Sequence, residues 1–197
     1  NFDFDLEIAG VFGRHQAHES HPSLIHRDIE NHFLCMAEII ERKINDIDEY
    51  NRDEKLRQKL HFFSNNNAAI RKCVWELVPF PDVSYGEDQT WAKKVLEKGY
   101  KIFYCSKALV YHSHNYGFFE IFNRTTTEIK YFKRYFGYNL YRSPLGSLKT
   151  FTQGLFGDLC WLNQNRCFSF SNLSYSCKSN LGANLARLYC FINKRSL

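Results

Sequence analysis

The stretch GEDQTWAKKVLEKGYKIFYCSKALVYHSH, Gly86–His114, decides the fold class. Gln89–Lys98 is the clearest helix in the chain, because Trp91, Ala92, Val95 and Leu96 fall on one face at helical spacing. Gly99 stands where a left-handed C-terminal cap belongs. Two short strands follow, Lys101–Tyr104 and Ala108–His112, with Ser106-Lys107 between them. Working upstream, Pro79-Phe80-Pro81 stops any preceding helix, and Ala68–Val74 reads as a helix start. The apolar run His61–Ser64 ends in Asn65-Asn66-Asn67, and the charge-dense Asn45–Lys59 reads as an exposed helix or loop. Asp28 is placed to cap a helix through Phe33, Met36, Ile39, Ile40 and Ile44. Ile8–Phe12 reads as a short buried strand, left at Gly13, before a polar, His-rich loop from Arg14 to Arg27. Downstream, an aromatic helix is expected from Phe118 to Tyr138, and Leu181, Leu185, Leu188 and Ile192 mark a last amphipathic helix. Strand and helix alternate through residue 112, which predicts an α/β layered core with a helical C-terminal tail.

The 197 residues suit one domain or one and a half. With 44% apolar and 24% charged residues, the composition excludes wholesale disorder. No apolar run approaches the ~20 residues of a membrane-spanning helix. No basic-then-apolar leader is present and the first residue is Asn1, so the expectation is an interior piece of a longer chain. Seven scattered cysteines without a C-x-x-C pair favour buried free thiols in a reducing compartment over a disulfide framework or a zinc ribbon. The net charge of +5 is uneven: from Lys130 onward 10 basic residues face one acid, Asp158, a balance of +9, which leaves 16 basic and 20 acidic residues, or −4, in residues 1–129. A basic tail of this kind suits anionic surfaces, whether lipid headgroups, nucleic acid or a phosphorylated ligand, or else a solvated helix face.

Several groups of residues carry potential chemistry. Glu87-Asp88 precedes a helix, where acids ordinarily serve as caps and meet the positive end of the helix dipole. A turn-to-helix junction at a sheet edge is also where α/β folds place ligands. His112 and His114 close a strand, and alternation would turn both to one side, where imidazole suits a metal or a phosphate. His15, His18, His21, His26 and His32 crowd one segment, and His15-x-x-His18-x-x-His21 imitates a zinc cluster, but no Cys falls inside it and the spacing fits no finger, so a solvated loop is the expectation. Asp3-Phe4-Asp5 has a D-x-D form, yet it lies ahead of a strand rather than after one and reads as chance.

Three segments in order resemble one family: VFGRH (Val11–His15), HFFSNNNAAIRKCVWELVPFPDVSYGEDQTWAKKVLEKGYKI (His61–Ile102) and ALVYHSHNY (Ala108–Tyr116). Together they resemble the second half of the catalytic domain of family 2 glycosyltransferases with the A-type, nucleotide-diphospho-sugar transferase fold, most like the bacterial rhamnosyltransferase branch. That family shows a "GRQ" strand, an Asn-rich segment, "aiRr.vWe..pFp", "EDq.wa......Gyki" and a closing "vyHsH". The resemblance implies an inverting sugar transfer from a nucleotide-diphosphate donor to a saccharide or lipid-linked acceptor, in bacterial surface polysaccharide synthesis. Asp88 would be the general base, kept ionised by a depressed pKa, and Glu87 would shape its loop. Asn66 and Trp91 would border the acceptor. Arg14 and His112 would bind the donor diphosphate, and His112 would also help hold a divalent metal, Mg or Mn. His15 stands where the family usually has Gln. The family's first half, a nucleotide-binding βαβ region ending in D-x-D, finds no counterpart here, so a fragment or an inactive remnant is expected.

The expected organisation is an acceptor-side catalytic half, residues 1–129, and a basic, aromatic helical tail, residues 130–197. The expected location is cytoplasmic, with peripheral contact at the inner face of the cell membrane through that tail. Two other classes fit parts of the sequence: a non-catalytic carbohydrate-binding module, and a basic nucleic-acid-binding protein, the latter without a recognisable motif, so that no nucleic-acid partner is expected.

Overall fold

The computed structural model describes residues 5–194, so Asp3 and Phe4 of the D-x-D lie outside the described residues. Two compact units divide the chain: Asn1–His18 with Ile29–Ser113, and Glu19–Asp28 with His114–Leu197. Toward the C-terminus the division falls at Ser113/His114, and one continuous helix runs from Phe118 to Phe136 across the expected 129/130 position.

In the first unit, β1 (Ile8–Gln16) and β4 (Lys101–Tyr111) run parallel at the centre of a four-stranded mixed sheet of order β2-β4-β1-β3. The edges are short: β2 (Glu41–Arg42) lies antiparallel to β4, and β3 (Ala68–Ile70) antiparallel to β1. A parallel pair needs a long crossover. Here it contains α1 (Ser23–Ala37), α2 (Ile47–Arg52), α3 (Glu54–His61), α4 (Lys72–Leu77) and α5 (Glu87–Glu97). Phe12, Phe63, Trp91, Val95, Leu96 and Ile102 form the fully buried centre of the core.

Several sequence expectations are corrected here. Ala68–Ile70 is a strand, not a helix start, because Arg71 ties it to β1: its backbone N–H donates to Ala9 O at 2.8 Å and its side chain to Ile8 O and Asp5 O. Asp28 does not cap a helix. α1 begins at Ser23, right after Pro22, and ends at Ala37, leaving Ile39, Ile40 and Ile44 beyond it. The two strands expected after Gly99 are one, β4. Its register against β1 jumps from Gly13↔Cys105 to Arg14↔Leu109, so Ser106-Lys107-Ala108 is a bulge rather than a break. β1 itself continues to Gln16 and takes Arg14 and His15 out of the expected loop.

Arg42 is wholly buried, and its guanidinium donates to Met36 O, Ile39 O and Lys59 O over the face of Phe12. Met36 and Lys59 lie in the last turns of α1 and α3, where carbonyls lack helical partners. One cation thus satisfies the ends of two helices, which is how a buried charge without a carboxylate is tolerated.

The second unit contains α6 (Phe118–Phe136), α7 (Pro144–Gln164) and α8 (Phe170–Ile192), with the segment Glu19–Asp28. Ser143 and Ser169 cap α7 and α8 with their hydroxyls, and Pro144 opens α7. Buried positions include Ser147, Asp158, Asn172, Ser176 and Asn184. Asp158 accepts from Arg27 (2.7 Å), Ser176 (2.6 Å) and Asn180 (2.8 Å), and Asp28 accepts from Tyr175. Large apolar side chains such as Phe156, Leu181 and Leu185 are exposed. All seven cysteines are free thiols, but only Cys190 is buried, and Cys35, Cys73 and Cys177 are exposed, which corrects the expectation of buried thiols.

Candidate active site

Asp88 sits in the first turn of α5. Gly86 before it adopts a left-handed conformation (φ 66°), which a side chain would strain, and so turns the chain sharply into the helix. The Asp88 carboxylate accepts from its neighbour Gln89 N–H at 2.8 Å and from Asn65 N–H at 3.2 Å, a residue 23 positions earlier. Burial pushes the Asp88 carboxyl above its ordinary value, the two backbone donors oppose the rise, and the Glu87 charge adds to it. The expected depressed pKa is therefore corrected: loss of hydration outweighs the helix N-terminus and the two N–H groups. A carboxylate of this kind is a stronger base than an exposed one.

Asn65 belongs to a short 3-10 turn, Asn65–Asn67, that carries the site from α5 to the central strands. Ser64, just before it, is buried and places its Oγ 3.2 Å from His15 Nε2. The His15 ring meets His112 edge-to-face at 5.0 Å and Phe33 at 4.8 Å. Burial, with the neighbouring His112 and His32, lowers His15 to about 4, so it is neutral at physiological pH. Asn67 closes the turn: its carboxamide donates to Arg14 O (3.3 Å) and Ala108 O (3.0 Å), spanning β1 and β4 at the bulge. Only a glycine fits beside that bridge, since a Cβ on Gly13 would lie 2.3 Å from both Ala108 O and Asn67 Nδ2.

The structure thus joins Asp88, the Asn turn, His15 and His112 through a continuous series of contacts within the first unit. Asn66 is exposed on that turn. Arg14 is half-buried, and its Nε is buried without a hydrogen-bond partner. Trp91 is placed differently from the expectation. It is 0% exposed, donates its indole N–H to Val78 O at 2.8 Å and packs on Phe63 and Phe80, so it supports α5 from the core instead of bordering an acceptor. The helical face that marked Trp91 was a core signal. His112 and His114 do not share a strand face, because β4 ends at Tyr111 and His114 stacks on Tyr116 in the second unit. Among the described residues no group of three His, Cys, Asp or Glu could hold a metal.

Sequence reasoning missed Ser64, Asn65, Asn67 and Gly13. A short polar turn after an apolar run was the available signal, but hydrogen bonds across 23 to 53 positions leave no local pattern.

The chain matches no protein-family model. It is 38% identical over 123 residues to the O-antigen chain rhamnosyltransferase RfbN of Salmonella typhimurium (strain LT2), a match covering 61% of this chain and 36% of that protein. It is 37% identical over 115 residues to the O-antigen chain rhamnosyltransferase WbaN of Salmonella anatum, covering 57% and 34%. The chain therefore spans about a third of the length of the curated relatives it matches. What it is similar to, over more than half of its own length, is part of an O-antigen chain rhamnosyltransferase.

Proposed function

We propose that these residues form the acceptor-side half of an inverting, rhamnosyltransferase-like glycosyltransferase of family 2, with the A-type fold. The reaction moves a sugar from a nucleotide-diphosphate donor to a saccharide or lipid-linked acceptor in surface polysaccharide synthesis. The carrying observation is Asp88: a half-buried carboxylate of raised basicity at a helix N-terminus, fixed by a backbone N–H from a distant turn. The two named relatives support the reaction class.

In the step itself, Asp88 takes the proton of the acceptor hydroxyl. The hydroxyl oxygen bonds to the anomeric carbon from the face opposite the diphosphate. The carbon–oxygen bond to the diphosphate breaks, and the nucleoside diphosphate leaves with that electron pair, inverting the configuration. Asn66, exposed beside the Asn65 anchor, offers an amide to sugar hydroxyls. Arg14, with a buried N–H that lacks an acceptor, suits a phosphate oxygen, and His112 lies against neutral His15 near it. Glu87 holds negative charge beside Asp88 and raises its basicity. A divalent metal would offset charge on the leaving diphosphate. The described residues do not fit one by themselves, since no three His, Cys, Asp or Glu side chains among them converge on one point.

The test is Asp88→Asn in the complete protein that contains these residues. Turnover is expected to fall ~10²–10⁴-fold, with donor binding changed only a few-fold. Retention of more than a tenth of the turnover would remove Asp88 as the base.

A further inference from the structure

The second unit buries a polar network beside Ile129, Tyr138 and Leu162, and leaves many large apolar side chains exposed. On α7, Leu145, Leu148, Phe156 and Leu159 recur along one face and are exposed, Leu145 at 82% and Phe156 at 71%. On α8, Phe170, Leu181, Leu185, Tyr189 and Ile192 are exposed, Phe170 at 89%. The opposite sides of these helices are satisfied by the Asp158, Ser176 and Asn180 hydrogen bonds and by a close approach at Gly154, where a Cβ would meet Asn180 Oδ1 at 1.9 Å. Turning the helices to bury the leucines would expose that network, so among the described residues these apolar faces stay uncovered.

Charge identifies the partner. Asp158, the only acid from residue 130 onward, is buried and paired with Arg27. Every exposed ionised side chain among the described residues of that segment is therefore cationic, including Arg134, Arg142, Lys149, Arg166 and Lys194. A second copy of the same face would bring like charges together, whereas anionic headgroups complement them. No helix among the described residues is long and apolar enough to cross a membrane. We propose that the exposed apolar faces of α7 and α8 dock on an anionic lipid bilayer, lying in its interface with phenylalanine and leucine side chains inserted and the cations at headgroup level. The surface stands apart from the proposed reaction, and its test does not depend on that reaction.

The experiment is co-sedimentation of the complete protein that contains these residues with phosphatidylcholine vesicles, with and without phosphatidylglycerol, at low and high salt. Binding is expected on the anionic vesicles at low salt, and about tenfold weaker on neutral vesicles or at high salt. The double variant Phe156→Ser, Phe170→Ser is expected to bind about tenfold more weakly again, with an unchanged far-UV spectrum, because both side chains are exposed. Leu145→Ser, in the first turn of α7, serves in its place if the double variant loses structure. No binding to anionic vesicles at low salt, or equal binding by the folded variants, overturns the proposal. A dimer in light scattering that the same substitutions dissolve, without vesicle binding, assigns the faces to a second copy instead.

Discussion

The two units of this chain differ in what specifies their interiors. In the first, β1 and α5 bury Phe12, Trp91, Val95 and Leu96, and the candidate site gathers where α5 begins and β1 approaches β4. In the second, Asp158, Ser176 and Asn172 are buried, while Phe156, Phe170 and Ile192 face outward. Apolar burial is non-directional and tolerates repacking, whereas a buried carboxylate specifies its partners one by one. The first unit is therefore stabilised by close packing around a site whose polar groups are held by backbone. The second buries Ile129, Tyr138, Leu162 and Ala186 as well, but sets a directional network among them and leaves large apolar side chains of α7 and α8 exposed.

The comparison can be broken most sharply at Trp91. Trp91→Ala is expected to cost about 3–5 kcal/mol through the cavity it leaves, seen in urea unfolding as faster amide exchange in β1, α5 and β4. A loss below about 1 kcal/mol would mean that the first unit does not depend on this packing.

Acid sharpens the same contrast with a smaller effect. His61 is buried with its Nε2 2.9 Å from the Tyr50 hydroxyl, and burial, with Lys93 and Arg57 nearby, lowers it to about 3. An unfolded imidazole titrates near 6.5. Between these values the unfolded chain binds a proton that the folded unit does not, so stability is full above pH 6.5 and declines as pH falls towards 3. His61 alone is expected to remove about 3 kcal/mol by pH 4, and His61→Gln should flatten that slope in the first unit. A first unit equally stable at pH 4 and pH 7 would contradict a neutral, buried His61.

The smallest expected effect lies in the second unit. Asp158→Asn leaves Arg27 with Asp28 alone and is expected to cost about 2 kcal/mol, less than a fully isolated buried pair. Amide exchange should rise in α7 and α8 and not in β1 or β4. An increase in both units, or in neither, would mean that the network does not define the second unit.

Local pattern alone located much of this molecule. The face of Trp91, Ala92, Val95 and Leu96 gave α5, and Gly99 ends it as anticipated, with φ 86° and its N–H donating to Leu96 O. The aromatic helix from Phe118 and the last helix through Ile192 were legible for the same reason: helical periodicity repeats every three to four residues. The acidic pair at the start of α5 was legible because helix starts have a chemistry of their own.

What the tertiary structure decided was every feature that depends on residues far apart. Ala68–Ile70 favours helix by propensity, yet β1 pulls it into a strand. Trp91 carried the same helical signal whether it faced a sugar or the core, and only the positions of Gly10, Phe63 and Phe80 settle that it is core. Asp88 was visible as a cap, but its raised basicity comes from burial beneath the Asn65 turn. The leucines of α8 announced an amphipathic helix without saying which face is inward. That choice belongs to Asp158 and Arg27, which are 131 positions apart in the chain and 2.7 Å apart in the fold. Sequence fixes the period of an apolar stripe; the cost of leaving a distant charge without its partner fixes where the stripe points.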